Sequence, residues 1–246
     1  MVGPSRTRRT RVEYRSGCGD LVETTLAEVV VEDVTAGLPV REFRVYKGRK
    51  HYSGWYWSST MSRLLAYESR LELARIMLAD FDPELAAIAA QPLRLIGPDG
   101  ARIRRHVPDL LLVDRDGGVR LVDVKSRDRV ERPENREVFA WTEETIAGRA
   151  WAFEVWSQAP LPLLTNIRFL AGYRREALIE ASLIPDVLAL ARPPAAIIDV
   201  ERALAVRPTA LVRPVILHLI WMGELEADLM RPLSRESIVS AGGVGA

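Results

Sequence analysis

Two apolar runs joined by one polar turn restrict this chain more than any other stretch of it. Leu110-Leu111-Leu112-Val113 and Val119-Arg120-Leu121-Val122-Asp123-Val124 flank Asp114-Arg115-Asp116-Gly117-Gly118. The runs are short, rich in apolar and β-branched residues, and bounded by turn residues, which describes a β-hairpin. Continuing the pairing away from the turn places Asp109 directly opposite Asp123. Facing residues of an antiparallel pair have Cβ atoms about 4.5–5.5 Å apart, and like charges there repel. Strand alternation puts Lys125 on the same face as Asp123. Two opposed acids beside an ammonium, on otherwise apolar strands, need compensation. A divalent cation, hard and oxygen-seeking, would supply it by bridging both carboxylates. The alternative is an accidental placement of two structural acids.

Composition excludes several classes. With 246 residues, 48% of them hydrophobic and 27% charged, the chain can bury enough surface to fold. No run reaches the roughly 18 apolar residues of a membrane span. The nearest, 214–222, is short and holds His218. The first residues lack the apolar segment of a secretory signal, so a soluble cytoplasmic protein is expected. The single cysteine, Cys18, excludes an intrachain disulfide, and with three histidines it cannot by itself build a structural zinc site. A net charge of +1 gives no overall field towards nucleic acid. The basic residues are uneven, however. Arg6, Arg8, Arg9, Arg11 and Arg15 form an amino-terminal arm, and Arg41, Arg44, Lys47, Arg49 and Lys50 a second cluster. Both suit phosphate binding, and both suit plain solvation. Only three of 34 basic residues are lysines, and Lys125 alone lies in an apolar segment. A compact, tunable ammonium is what arginine cannot replace there.

The pattern predicts an α/β domain over 1–160 and a smaller, mainly helical domain over 161–246. Strands are expected at 29–31, 43–46, 93–96, 101–113, 119–125 and 151–156, and helices at 84–90 and 137–147. A longer helix should begin after Ser58-Ser59-Thr60, which offer N-cap chemistry, and run to Asp80. On it, Glu68 and Glu72 fall one turn apart among Leu64, Leu65, Leu71 and Ile76, on the apolar face. Buried carboxylates there require a partner, either Arg70 or Arg75 in a salt bridge or a metal ion. Tyr52, Trp55, Tyr56 and Trp57 suit core packing, a protein contact or base stacking. His106 reads as a satisfied strand residue, with phosphate contact or proton transfer as the alternative, and His218 as core. Beyond 160, helices are expected at 168–180, 184–191, 195–205 and 209–221, followed by a hairpin over 224–239. No Walker-type loop appears, which disfavours ATP hydrolysis.

Pro108-Asp109, thirteen intervening residues and Asp123-Val124-Lys125 match the PD-(D/E)xK nuclease pattern. Beyond that motif the chain resembles the TnsA-like endonuclease subunits of heteromeric transposases. The resemblance rests on Tyr67-Glu68-Ser69-Arg70-Leu71-Glu72, Asp80-Phe81-Asp82-Pro83, Gln91-Pro92-Leu93, Arg104-Arg105-His106-Val107-Pro108-Asp109 and Val122-Asp123-Val124-Lys125. Asn166-Ile167-Arg168 and His218-Leu219-Ile220-Trp221 extend it late in the chain. It implies a restriction-endonuclease-like mixed sheet with flanking helices, followed by a winged-helix-like domain. It also implies a Mg²⁺-dependent endonuclease, with Mn²⁺ able to substitute, that hydrolyses the 5′ strands of transposon ends.

Glu72, Asp109 and Asp123 would be the metal ligands, joined by the Val124 carbonyl, and Lys125 the catalytic lysine. Glu68 is the alternative helix acid. Asp123 stands where the prototype has glutamine. The implied partners are DNA, a DDE transposase of the TnsB type and an AAA+ ATPase of the TnsC type, with the protein at the nucleoid when bound to DNA. A stand-alone restriction or repair nuclease, and a non-catalytic DNA-binding or adaptor protein on the same scaffold, are the competing readings.

Overall fold

The computed structural model describes residues 6–41 and 52–242. It is mixed α/β and divides into two compact units, one of 1–80 with 84–158 and one of 81–83 with 159–246. In chain order the first unit contains α1 (Arg6–Arg9), β1 (Arg11–Arg15), β2 (Leu21–Thr25), α2 (Val31–Ala36), β3 (Gly54–Ser58), β4 (Arg63–Tyr67) and α3 (Arg70–Phe81). β5 (Leu85–Ala90), β6 (Arg94–Asp99), β7 (Arg102–His106), β8 (Leu110–Asp114) and β9 (Val119–Val124) follow, and then α4 (Arg127–Val130), α5 (Pro133–Ile146) and β10 (Ala152–Trp156).

The central sheet has the order β10-β9-β8-β5. β8 and β9 form the expected hairpin, with Leu110 opposite Val122 and Val113 opposite Val119. β10 lies parallel to β9, reached through α4 and α5 as a parallel crossover requires. Alternation sends Leu110, Leu112, Val122 and Val124 to one face, where they pack with Ile76 and Ala79 of α3 and with Tyr56 and Leu65 of the β3–β4 hairpin. Leu111 and Leu121 face the other way, into a core shared with Val12, Leu95, Trp141 and Ile146. Burial on both faces explains why β8 reads as a continuous apolar run. A second sheet, β2-β1-β6-β7, contributes to that second core.

Several expectations fail for identifiable reasons. The long helix after Ser58-Ser59-Thr60 is replaced by β3 and β4, whose Trp55, Tyr56 and Trp57 pair with Ala66, Leu65 and Leu64. Aromatic side chains favour a pleated, half-buried ribbon. Ser58, Ser59 and Thr60 therefore donate to Asp80 instead of capping a helix. Residues 84–90 form a strand although their alanines favour a helix, because pairing with β8 and burial of Ile88 and Ala89 outweigh a weak propensity. Val29, Val30 and Val31 lie at a turn and the start of α2, not in a strand. The amino-terminal arginines are not a free arm: Arg6 pairs with Glu144, and Arg11 and Arg15 belong to β1 between buried Val12 and Tyr14. The expected strand at 43–46 and all of the second basic cluster except Arg41 lie outside the described residues.

The second unit holds α6 (Leu161–Leu170), α7 (Ile184–Leu190), β11 (Ala195–Ala196), α8 (Ile197–Ala203), α9 (Thr209–Trp221), β12 (Leu225–Ala227) and β13 (Ile238–Ala241). Its sheet has the order β11-β13-β12. The first helix begins at Leu161 rather than near 168, since Pro162 sits at its first turn, where a missing N–H costs nothing. Residues 171–183 break into short 3₁₀ turns. Buried Glu201 receives two bonds from Arg213, at 2.5 and 2.9 Å, and one from Arg235 at 3.4 Å. His218 is buried, with Nδ1 2.7 Å from the Tyr173 carbonyl. Among the described residues no helix is long and apolar enough to cross a membrane.

Candidate active site

Asp109 stands immediately before β8, and Asp123 lies in β9. The Asp109 side chain takes over the work of a ladder carbonyl: its Oδ2 accepts the Val124 N–H at 2.7 Å, while its own N–H donates to the Val122 carbonyl at 2.9 Å. Val124 thus touches Asp109 through its amide. Asp123 is 1% exposed, and His106 at the end of β7 supplies its neighbour. The His106 Nε2 lies 3.0 Å from Asp123 Oδ1, with hydrogen-bond geometry. It is 2.9 Å from Oδ2, yet Oδ2 has no hydrogen-bond partner in the protein. A buried carboxylate oxygen without a donor is costly.

The acids act on each other electrostatically. Burial and the neighbouring Asp123 charge raise the Asp109 pKa from 3.8 to about 7, with Glu72 adding to the rise and Lys125 opposing it. Near neutrality Asp109 therefore retains much of its proton. Burial also raises the pKa of Glu72, and the like charge of Glu68 adds to this, against the lowering effect of hydrogen bonds and Lys125.

Glu72 is placed by a local motif. Ser69 precedes the first residue of α3, and its hydroxyl oxygen accepts the Glu72 N–H at 3.1 Å. The Glu72 carboxylate reaches back, accepting the Ser69 hydroxyl at 2.9 Å and the Glu68 N–H at 2.8 Å. This is a capping box, shifted by one residue in its backbone donor. Glu68 precedes the helix and lies 3.7 Å from Arg41. Neither of the arginines considered as a structural partner takes that role, because Arg75 makes two bonds to Glu154 and Arg70 stacks over Tyr52.

The structure thus brings Asp109 and Asp123 together, with Glu72 and Lys125 within electrostatic reach of Asp109. It does not close them into a ligand shell: among the described residues, no three histidine, cysteine, aspartate or glutamate side chains form a group able to hold a metal. Alternation suggests why. α3 covers the face of Leu110 and Val122, whereas Asp123 alternates with them, towards the face of Leu121.

Two residues escaped the sequence reading. His106 pairs with Asp123 across seventeen positions, which no local pattern signals. Gln91 is 1% exposed, with neither side-chain amide atom hydrogen-bonded in the protein, and its φ of 47° is rare for any residue but glycine. Its N–H donates to the Asp109 carbonyl at 2.8 Å, so the strained residue braces the acid's backbone. The chain matches no protein-family model and no curated protein.

Proposed function

We propose that the chain is a metal-dependent DNA endonuclease of the PD-(D/E)xK type, working as the TnsA-like subunit of a heteromeric transposase on the 5′ strands of transposon ends. The observation that carries the chemical part is the buried, donor-free Oδ2 of Asp123 beside an Asp109 whose proton affinity its neighbours raise. Carboxylates crowded in this way favour a hard divalent cation. Asp109 and Asp123, with Glu72, would hold Mg²⁺ or Mn²⁺. Such an ion supplies Lewis acidity toward the scissile phosphate and a more acidic bound water. Lys125 offsets charge developing on the phosphorane oxygens and orients the attacking water. Exposed Arg127 and Arg129, immediately after Lys125, suit contact with the phosphate backbone.

The central sheet, with α3 on one face and α5 on the other, supports a restriction-endonuclease-like fold. α7–α9 with their three-stranded sheet support a winged-helix-like second unit. The transposition context and its partners, a DDE transposase and an AAA+ ATPase, rest on the motif resemblance alone. A second reading, a non-catalytic scaffold, draws on the unclosed ligand shell and on the capping role of Glu72.

Two variants separate these readings. Mn²⁺ is titrated by calorimetry, with short duplex DNA present, into wild type, Asp109→Ala and Lys125→Ala. Strand cleavage is then assayed with the transposase supplied. Asp109→Ala should lose both binding and cleavage. Lys125→Ala should keep metal binding while cleavage falls about 10²–10³-fold, the usual cost of deleting one transition-state stabiliser. A wild type that binds no Mn²⁺ would establish the scaffold reading in place of the nuclease.

A further inference from the structure

We infer that His106 is a positioning residue, which fixes the Asp123 carboxylate so that one oxygen stays open towards a bound divalent cation. The inference rests on the metal-site reading above and adds to it a residue outside the acid–acid–lysine set.

β7 delivers the imidazole rigidly. Two residues earlier on the same strand, Arg104 lies 2.6 Å from Asp99 and 3.3 Å from Glu137, anchoring β7 to its own turn and to α5. Strand alternation then sends His106 to the side of Arg104. The ring is 13% exposed and the Asp123 side chain 1%. Rotation of either group is therefore restricted by its surroundings as well as by their mutual contact. Nε2 donates to Oδ1 and leaves Oδ2 unused. A neutral imidazole carrying its proton on Nε2 suffices for this bond, so no charged histidine is needed.

A pairing meant only to neutralise a buried acid would satisfy both oxygens. Asp80 demonstrates this in the same unit, with donors on Oδ1 and on Oδ2. At Asp123 one oxygen is held and the other is withheld from every donor. Hydrogen bonds of this kind orient metal-binding carboxylates, and losing one typically weakens metal affinity or activity by about 10–100-fold.

The test measures Mn²⁺ affinity by calorimetry in the full-length protein, alongside thermal unfolding in EDTA. His106→Ala should weaken Mn²⁺ binding about 10–100-fold, and its cleavage should saturate only at correspondingly higher Mn²⁺. His106→Gln, whose amide N–H can take the place of the Nε2 donor, should bind within about 3-fold of wild type, whereas the shorter His106→Asn should resemble alanine. Unchanged Mn²⁺ affinity in His106→Ala, with only a lowered Tm, would overturn the inference and leave the nuclease reading intact. Should the alanine variant not fold, equal affinity of the glutamine and asparagine variants would overturn it. No binding by wild type would remove both readings together.

Discussion

Asp80 and Asp123 are both buried aspartates of one unit, at 5% and 1% exposure, yet their surroundings differ in kind. Asp80 accepts from the Tyr56 and Ser58 hydroxyls, from the Ser59 N–H and hydroxyl, and from the Thr60 N–H. Those donors come from the end of β3 and the turn after it, so the carboxylate ties the hairpin to the last turn of α3. Asp123 has one hydrogen-bonding donor, His106, and faces a second acid. Burial of charge thus identifies nothing by itself. What separates a structural carboxylate from a candidate ligand is whether the fold has already supplied its hydrogen bonds.

The largest expected effect breaks this comparison on the structural side. Asp80→Ala removes the acceptor of five donors and leaves two hydroxyls in buried Tyr56 and Ser58 side chains unpaired. A loss of roughly 3–5 kcal/mol is expected in urea unfolding, since bonds to a charged group contribute about 1.5–3 kcal/mol each and are not additive. Asp109→Asn should do the opposite in metal-free protein at neutral pH. It relieves repulsion while keeping an oxygen for the Val124 N–H. A destabilisation of Asp109→Asn as large as that of Asp80→Ala would erase the distinction between the two sites.

The pH dependence sharpens the contrast. An unfolded aspartate titrates near 3.9, whereas folded Asp109 titrates at about 7. Between these values the native state binds more protons than the unfolded chain, so its stability must fall as the pH rises. The contribution is fully present below about pH 4 and lost as the pH passes the folded value. The raised Glu72 pKa acts in the same direction. Metal-free protein should therefore show a Tm that declines from mildly acidic to neutral pH. Asp109→Asn should flatten that decline, and saturating Mn²⁺ should reverse it by displacing the proton. A wild-type Tm that climbs steadily over this range would mean that the acids are not crowded.

The same contrast explains what could be read from sequence. The β8–β9 hairpin was legible because apolar runs and a glycine-containing loop fix pairing locally, and the apposition of Asp109 and Asp123 followed from that register. The course of the chain from 58 to 69 was not. Ser58-Ser59-Thr60 has the chemistry of a helix N-cap, and the acceptor that diverts it, Asp80, is twenty residues or more away. The placement of Glu72 failed for a related reason. A helical wheel drawn through Leu64 and Leu65 presumes a helix where β4 runs, so Glu68 left the helix and Glu72 moved from its middle to its first turn. His106 and Gln91 depend on tertiary contacts that no periodicity encodes.

Glu72 combines features of both kinds of acid, which makes it the finest probe of the comparison. Both of its oxygens already have donors, as in Asp80, yet it feels the charge of Lys125 and raises the pKa of Asp109, as a member of the cluster does. Ser69→Ala removes only the cap and should cost about 1 kcal/mol. Glu72→Gln keeps a side chain that the capping box accepts, so the stability change should stay within roughly 0.5 kcal/mol. The substitution nevertheless exchanges an anionic oxygen for an amide. If Glu72 leaves its cap bonds to join the metal site, Glu72→Gln should weaken Mn²⁺ binding and cleavage by at least about tenfold, while Ser69→Ala should leave metal affinity near wild type. Equal Mn²⁺ affinity in wild type and Glu72→Gln would place Glu72 beside Asp80 as a structural acid and leave Asp109 and Asp123 to hold the ion alone.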